Sequence, residues 1–178
     1  MRTLRVGIKN KILYKVKWSF VKLKKVLFNE KKYSKAYRKL LAEYGMSIAQ
    51  DESYIDPSAY FDHYDYSLIT IGESVTISRE VLFLTHDFSI SKGLKAINAS
   101  HNGYLIQPIT VGNNCFIGAR ALLMPGTTIG DNTIIGAGAV VKGNIPKNSI
   151  VIGNPCKVIG NLEDYGRKHL EAQDYIKF

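Results

Sequence analysis

The sequence has few cysteines, no long apolar run and almost no acid near its N-terminus. Its 178 residues include two cysteines, Cys115 and Cys156, which are too few for a disulfide framework. We expect both to be reduced, buried thiols of a cytoplasmic protein. No uninterrupted apolar stretch approaches the ~20 residues of a membrane span. Lysines also interrupt residues 1–20 too often for the apolar region of a signal peptide.

The scarcity of acid is confined to the N-terminal part of the chain. Residues 1–41 contain 14 of the 24 lysines and arginines and a single acid, Glu30, whereas residues 42–178 contain 10 bases and 14 acids. The net charge of +9 therefore arises from one segment, and the rest of the chain is slightly acidic.

A six-residue repeat dominates the C-terminal half of the sequence. Every sixth residue from Val111 to Val141 is aliphatic, the next residue is often glycine, and the fifth position is mostly small. The same register appears upstream at Ile71, Ile77 and Phe83. A period of six fits neither an α-helix nor simple strand alternation, so it predicts short strands joined by turns. Three such hexads make a triangular coil of about 18 residues, and coils stack at the ~4.8 Å spacing of neighbouring strands.

The N-terminal segment has a helical pattern instead. Its apolar residues recur at steps of three or four and predict one stripe on a helix, made of Leu4, Ile8, Ile12, Val16, Phe20, Leu23 and Leu27. Lysines lie between them. Such a stripe packs on the end of the coil or on a neighbouring subunit, or residues 1–28 contact anionic lipid. No recognised nucleic-acid motif accompanies the charge, so we expect no nucleic acid as a partner.

Two further helices are predicted, one on each side of the repeats. The first lies in residues 30–44 and ends at Gly45, and the second lies in the C-terminal tail with Asn161 as its N-terminal cap. The chain is therefore divided into a basic helical extension, a hexad coil and a helical tail, at residues 1–45, 46–160 and 161–178.

The hexad register has one long interruption, in residues 86–108. Function tends to lie in loops that leave a rigid scaffold, and this loop begins with His86. An ordinary imidazole titrates near neutral pH, so it is able to accept a proton and return it within one reaction cycle. Asp87 either orients that imidazole or caps a turn, because neighbouring residues on a strand point to opposite faces.

A known family resembles this chain over residues 46–160, most specifically in the segment VGNNCFIGARALLMPGTTIGDNTIIGAGAVVKGNIPKNSIVIGNPCKVIG. The family is the hexapeptide-repeat acyltransferases, in the branch of the maltose and galactoside O-acetyltransferases and of the capsule and exopolysaccharide acetyltransferases. The resemblance implies an all-β core folded as a left-handed parallel β-helix, and a homotrimer with active sites between subunits. It also implies transfer of an acetyl group from acetyl-CoA to a sugar hydroxyl in cell-surface polysaccharide biosynthesis.

The resemblance implies roles for individual residues. His86, in the segment LTHD, matches the general base that deprotonates the acceptor hydroxyl. The residues that match contacts to CoA are Ala119, Ala137, Lys142 and Lys157. The residues that match contacts to the acceptor are Asp62, Asp65 and Phe116. The alternative is that the alanines only pack, the lysines are solvated and the two aspartates lie in a solvated loop.

The chain departs from the family pattern at two of these positions. Phe116 stands where many relatives have tryptophan, and Lys142-Gly143 stands where a Thr-Lys pair is common. These differences change the ring that is available to stack on the acceptor and the residues that are available to contact the CoA phosphate.

Other functions remain open within the same fold. They are N-acetylation of an amino sugar, serine acetylation, and a scaffold role without catalysis. The γ-class carbonic anhydrases, also β-helix trimers, hold zinc through three histidines, two of which are closely spaced. Here His63, His86 and His101 include no close pair, so we expect no metal.

Overall fold

The computed structural model describes residues 8–27, 30–50, 52–62 and 65–177. Helices stand at both ends of a stack of short strands, and one more lies in a long loop. They are α1 (Ile8–Leu27), α2 (Glu30–Glu43), α3 (Ile90–Ala96) and α4 (Leu162–Ala172), with a short 3-10 helix at Tyr66–Leu68. The part of the chain described in the structure contains no helix long and apolar enough to cross a bilayer.

Most strands belong to three parallel sheets, and successive strands along the chain belong to the first, second and third sheet in turn. The first sheet contains β1 (Ser47–Ile48), β4 (Ile69–Ile71), β9 (Ile109–Val111), β12 (Thr128–Ile129) and β15 (Asn144–Ile145). The second contains β2 (Tyr54–Ile55), β5 (Thr76–Ile77), β10 (Phe116–Ile117), β13 (Ile134–Ile135) and β16 (Ser149–Ile152). The third contains β3 (Tyr60–Phe61), β6 (Leu82–Phe83), β11 (Leu122–Leu123) and β14 (Val140–Val141).

Three strands pair in antiparallel fashion outside this pattern. They are β7 (His86–Asp87), which pairs with β8 (Leu105–Ile106), and β17 (Lys157–Asn161), which pairs with β16. The first pair closes the base of the predicted loop 86–108, and α3 lies inside that loop.

The register of the parallel sheets confirms the predicted coil of three hexads. Phe116 pairs with Ile134, 18 positions along the chain. The aliphatic first position of each hexad points inward and is buried, as at Ile117, Leu123 and Ile129. The fold is therefore a parallel β-helix whose core is a stack of hexad side chains.

The helices next to the coil follow the sequence predictions closely. α2 packs on β1 and β2 at the N-terminal end of the coil, and Gly45 beyond it has a φ of +102°. At the other end, the Asn161 side chain accepts hydrogen bonds from the backbone N–H groups of Glu163 and Asp164 and so caps α4. Both predicted helix ends are confirmed.

Three described members of the predicted apolar stripe of α1 do not pack on the end of their own coil. Val16, Phe20 and Leu23 are exposed, whereas Tyr14 and Val21 are buried. The other members of the stripe lie outside the described residues or have no described side chain. The prediction of packing within the chain was wrong for the described members because α1 carries a second apolar face, and that one is buried.

Candidate active site

The long loop leaves the coil at the corner between the third and first sheets. At this corner one residue follows the third-sheet strand of each successive coil: Asp62, Leu84, Met124 and Lys142. They lie one above another, because the N–H groups of the first three donate to the carbonyl groups of Phe83, Leu123 and Val141, respectively. The loop begins two residues after Leu84, at His86. We call the corner formed by Asp62, Thr85, His86 and Lys142 the histidine corner.

Asp62 and His86 are in direct contact at the histidine corner. The Oδ2 atom of Asp62 faces Nδ1 of His86, and it also accepts hydrogen bonds from the backbone N–H and the hydroxyl group of Thr85, at 3.2 and 3.0 Å. Asp62 is 3% exposed, whereas 29% of the His86 side chain is exposed. A carboxylate at Nδ1 holds the proton on that nitrogen, so Nε2 carries the lone pair of a general base.

Asp87 caps a turn. Its Oδ1 atom accepts a hydrogen bond of 2.7 Å from the backbone N–H of Ser89 at the turn before α3. This bond to Ser89, rather than a catalytic neighbour, is the main cause of a lowered pKa for the Asp87 carboxyl. The structure therefore places Asp62, and not Asp87, where it orients the imidazole.

Aromatic rings cover one side of His86. The Phe88 ring meets the imidazole edge to face, with 5.2 Å between ring centroids, and it stacks on Tyr104 at 4.5 Å. Phe88 and Tyr104 lie near the two ends of the loop, so their contact holds these ends together beside the imidazole.

The two remaining acceptor candidates lie away from this contact. Asp65 caps the 3-10 helix, because its Oδ1 atom accepts hydrogen bonds from the N–H and the hydroxyl group of Ser67. Phe116 points outward from the second sheet and is 44% exposed. Neither residue belongs to the histidine corner of its own chain.

A second corner, between the second and third sheets, has short side chains in two successive coils. Ala119 and Ala137 lie there in successive coils, and the N–H of Gly138 donates to the Ala119 carbonyl group. Each alanine follows a glycine, Gly118 or Gly136. A Cβ atom added at Gly118 would lie 2.5 Å from the backbone nitrogen of Ala137. We call these four residues the alanine corner.

The two candidate lysines lie at different corners. Lys157 pairs with Ile152 in the antiparallel strands β16 and β17. Ile152 has the position of Gly136 in the next coil, so Lys157 is next to the alanine corner. Lys142 belongs to the histidine corner, and its positive charge adds to the larger effect of the Ser89 hydrogen bonds in lowering the pKa of the Asp87 carboxyl. Within one chain, the four candidates for CoA contact are therefore split between two corners.

The surroundings of Cys115 do not suit acyl transfer. Cys115 is 2% exposed, and burial raises the pKa of its thiol to about 11, so little thiolate exists at neutral pH. Cys156 is partly buried in the turn before β17. Of the three histidines considered for zinc, His63 lies outside the described residues. The described residues contain no cluster of three or more metal-ligating side chains.

Comparison with known proteins identifies relatives of the coil. Residues 108–143 match the family described as bacterial transferase hexapeptide (six repeats). Protein CapG of Staphylococcus aureus is 45% identical over 113 residues, which cover 62% of each chain. The galactoside O-acetyltransferase of Escherichia coli is 39% identical over 112 residues, covering 62% of this chain and 52% of the relative. The match thus spans about half to three fifths of the length of these curated relatives.

Solved structures have the same fold. A galactoside acetyltransferase in complex with coenzyme A superimposes with a TM-score of 0.58 at 25% identity, over 88% of this chain and 84% of that one. A hexapeptide-repeat acetyltransferase of Vibrio cholerae also gives 0.58, over 85% and 92% of the two chains, and its 19% identity supports the fold alone.

Proposed function

We propose that this chain, as a relative of the hexapeptide-repeat acyltransferases, transfers an acetyl group from acetyl-CoA to a sugar hydroxyl in cell-surface polysaccharide biosynthesis. The observation that carries the proposal is the contact between Asp62 and His86 at the base of the long loop. Similarity to a galactoside O-acetyltransferase and to a fold solved with coenzyme A supports the reaction class and the donor.

His86 acts as the general base in this reaction. Nε2 takes the proton of the acceptor hydroxyl while the hydroxyl oxygen attacks the thioester carbonyl carbon and forms a new C–O bond. The tetrahedral oxyanion then collapses, the C–S bond breaks, and His86 returns the proton to the departing sulfur of coenzyme A. Asp62 keeps the imidazole oriented and stabilises its positive charge.

The alanine corner suits the extended pantetheine arm of acetyl-CoA. Because Ala119 and Ala137 have short side chains, a thin ligand is able to approach the backbone there. Lys157 beside this corner supplies a cation for the phosphates, and Lys142 supplies one near the loop. Asp65 and Phe116 remain proposed acceptor contacts.

The separation of the corners favours an active site between copies of the chain. The strand β11 lies between the alanine corner and the histidine corner, so one chain presents the proposed base and the proposed donor groove on different edges of the coil. A homotrimer brings the histidine corner of one subunit to the alanine corner and Phe116 of the next. Each active site then contains residues of two subunits.

The remaining features of the proposal concern the fold and the location. The coil of residues 46–160 is left-handed, residues 1–45 are a helical extension and residues 161–178 a helical tail. The enzyme works in the cytoplasm, close to the inner face of the plasma membrane, where sugar units for export are assembled. It requires no metal, because the proposed base is a histidine and the leaving group is a thiol.

A matched pair of histidine variants tests this function. Release of free thiol from acetyl-CoA is followed with a panel of sugars and nucleotide sugars. The His86→Ala variant is expected to lose at least about 100-fold in rate, the usual scale of general-base catalysis. His101→Ala is the control, because His101 is exposed in the same loop and contacts Ser100 rather than Asp62.

Two results would contradict the proposal. One is a His86→Ala variant that retains a third or more of the wild-type rate. The other is an acceptor profile in which only amines, and no sugar hydroxyl, release thiol.

A further inference from the structure

Helix α1 has two apolar faces, of which one is buried and one exposed. The buried face holds the helix on the rest of the chain. The exposed face is a line of four large side chains whose exposed fractions are 47–64%, and we call it the exposed stripe. Its members are Leu13, Val16, Phe20 and Leu23. Their spacing of three, four and three residues places them on one side of the helix, along its length.

The buried face fixes which way the exposed stripe points. Tyr14 packs edge to face on Tyr44, with 4.7 Å between centroids, and Trp18 packs on Tyr37 at 5.6 Å. Lys17 also forms an ion pair of 2.9 Å with Glu43 of α2. Turning the exposed stripe inward would break these contacts, so it stays available to another surface.

The charge of α1 indicates which kind of surface the exposed stripe binds. The helix contains seven lysines and no acid, and residues 1–41 as a whole contain a single acid. Lys15 and Lys17 are exposed beside the stripe, although Glu43 offsets the charge of Lys17. A helix with a lysine-rich polar face and large apolar side chains lies in the interface of a bilayer, and anionic headgroups attract its lysines.

A two-fold contact with a second copy of the chain fits this surface less well. A two-fold contact between identical stripes would bring together two helices that each contain seven lysines and no acid. Like charges brought together across an interface weaken it, whereas an anionic lipid surface has the complementary charge.

We propose that the exposed stripe binds the surface of an anionic lipid bilayer, with α1 lying in the plane of the interface. The stripe enters the boundary between headgroups and acyl chains, and the flanking lysines contact the headgroups. The β-helix then stands on the membrane by its N-terminal end. The proposal concerns the surface of α1 and does not depend on which acceptor the active site uses.

Co-sedimentation of the full chain with vesicles tests the proposal. The wild-type chain is expected to bind vesicles of phosphatidylglycerol and phosphatidylcholine in equal parts, and to bind vesicles of phosphatidylcholine alone far more weakly. High salt weakens the binding. Replacing two members of the stripe, Phe20→Gln with Leu23→Gln, is expected to lower the partition coefficient by about tenfold or more.

A matched double variant controls for the loss of exposed apolar residues. Leu170 and Ile176 are 63% and 90% exposed at the opposite end of the chain. Leu170→Gln with Ile176→Gln is expected to bind vesicles like the wild type, and melting curves check that both double variants are folded.

Two outcomes would overturn the proposal. The first is that the wild-type chain fails to bind the anionic vesicles, and the second is that the stripe variant binds them as well as the wild type. If the variant in the second case also has a lower oligomeric mass in solution, the stripe is covered by another copy of the chain.

Discussion

Asp62 and Asp87 have different surroundings, although both lie next to His86. Asp62 is buried, and its Oδ2 atom accepts two hydrogen bonds from Thr85 and faces the imidazole. Asp87 is only partly buried, and its carboxylate accepts the Ser89 N–H at the start of the loop. These contacts support our proposal that Asp62 is a positioning residue for His86, and Asp87 caps the turn that starts the loop.

Isosteric variants separate these two roles. Asp62→Asn removes the carboxylate that keeps the proton on Nδ1, so kcat is expected to fall by roughly 10²–10⁴-fold. The KM for acetyl-CoA is expected to stay within about twofold, because Asp62 is not among the residues proposed to contact CoA. Asp87→Asn retains an oxygen that accepts the Ser89 N–H, so its kcat is expected to stay within about threefold.

Steady-state kinetics and a melting curve for each variant make this comparison. A purely structural role for Asp62 would lower the melting temperature and leave kcat per folded molecule unchanged. Equal losses of kcat in the two variants would contradict the assignment of Asp62 as the positioning residue.

The sequence predicted His86 as a site residue but did not predict its contact with Asp62, because the spacing between paired strands is different there. In the regular coils the pairing residues are 18 positions apart, so the hexads align themselves. Phe61 pairs with Phe83, which is 22 positions away, because extra residues and a 3-10 helix follow Asp62. Asp62 therefore could not be aligned with His86 by counting hexads. Thr85, which also contacts Asp62, was missed for the same reason.

Among the elements, the strands were easier to predict than the orientation of α1. A hexad needs one large inward side chain and a mostly smaller second one, and the sequence displays this pattern over most of the coil. The helix α1 has apolar residues on two faces, and periodicity alone does not tell which face meets the core. The structure shows that aromatic packing decided it, since Tyr14 and Trp18 contact Tyr44 and Tyr37.

The turn at Gly118 has no room for a methyl group on its Cα atom, which a single substitution tests. Gly118→Ala would place a Cβ atom 2.5 Å from the Ala137 nitrogen and 2.8 Å from the carbonyl carbon of Gly136, and both are backbone atoms of the next coil. We expect the variant to be destabilised by about 1–3 kcal/mol, the usual cost of overpacking. Thermal or denaturant unfolding measures this change.

Gly166→Ala is the matched control for the same substitution. Gly166 lies inside α4, and an added Cβ atom there would have no neighbour within 4 Å. Alanine is favoured over glycine in a helix interior, so this variant is expected to be as stable as the wild type or up to about 1 kcal/mol more stable. A Gly118→Ala variant as stable as Gly166→Ala would contradict the close approach of the coils.

At the scale of the whole molecule, the three sides of the coil differ in polarity. Outward residues of the first sheet are polar: Ser47, Thr70, Thr110, Thr128 and Asn144. Those of the third sheet are aromatic or aliphatic: Tyr60, Leu82, Leu122 and Val140. The second sheet is also largely apolar outside: Tyr54, Thr76, Phe116, Ile134 and Ile150. A closed ring of subunits needs two different patches on each one, and we propose that the second and third sheets supply them.

A charge on one of these sides therefore tests the proposed trimer together with its shared active sites. Leu82 is 37% exposed in the third sheet, and Leu82→Lys would leave the core of the coil intact while burying a cation in the contact. We expect the oligomeric mass to fall to that of a monomer and acetyl transfer to be lost with it, because His86 no longer meets the alanine corner of a neighbour. Thr128→Lys, on the polar first sheet, is expected to change neither the mass nor the rate. Light scattering and the thiol-release assay give both readouts, and a monomeric Leu82→Lys variant with full activity would show that one chain holds a complete active site.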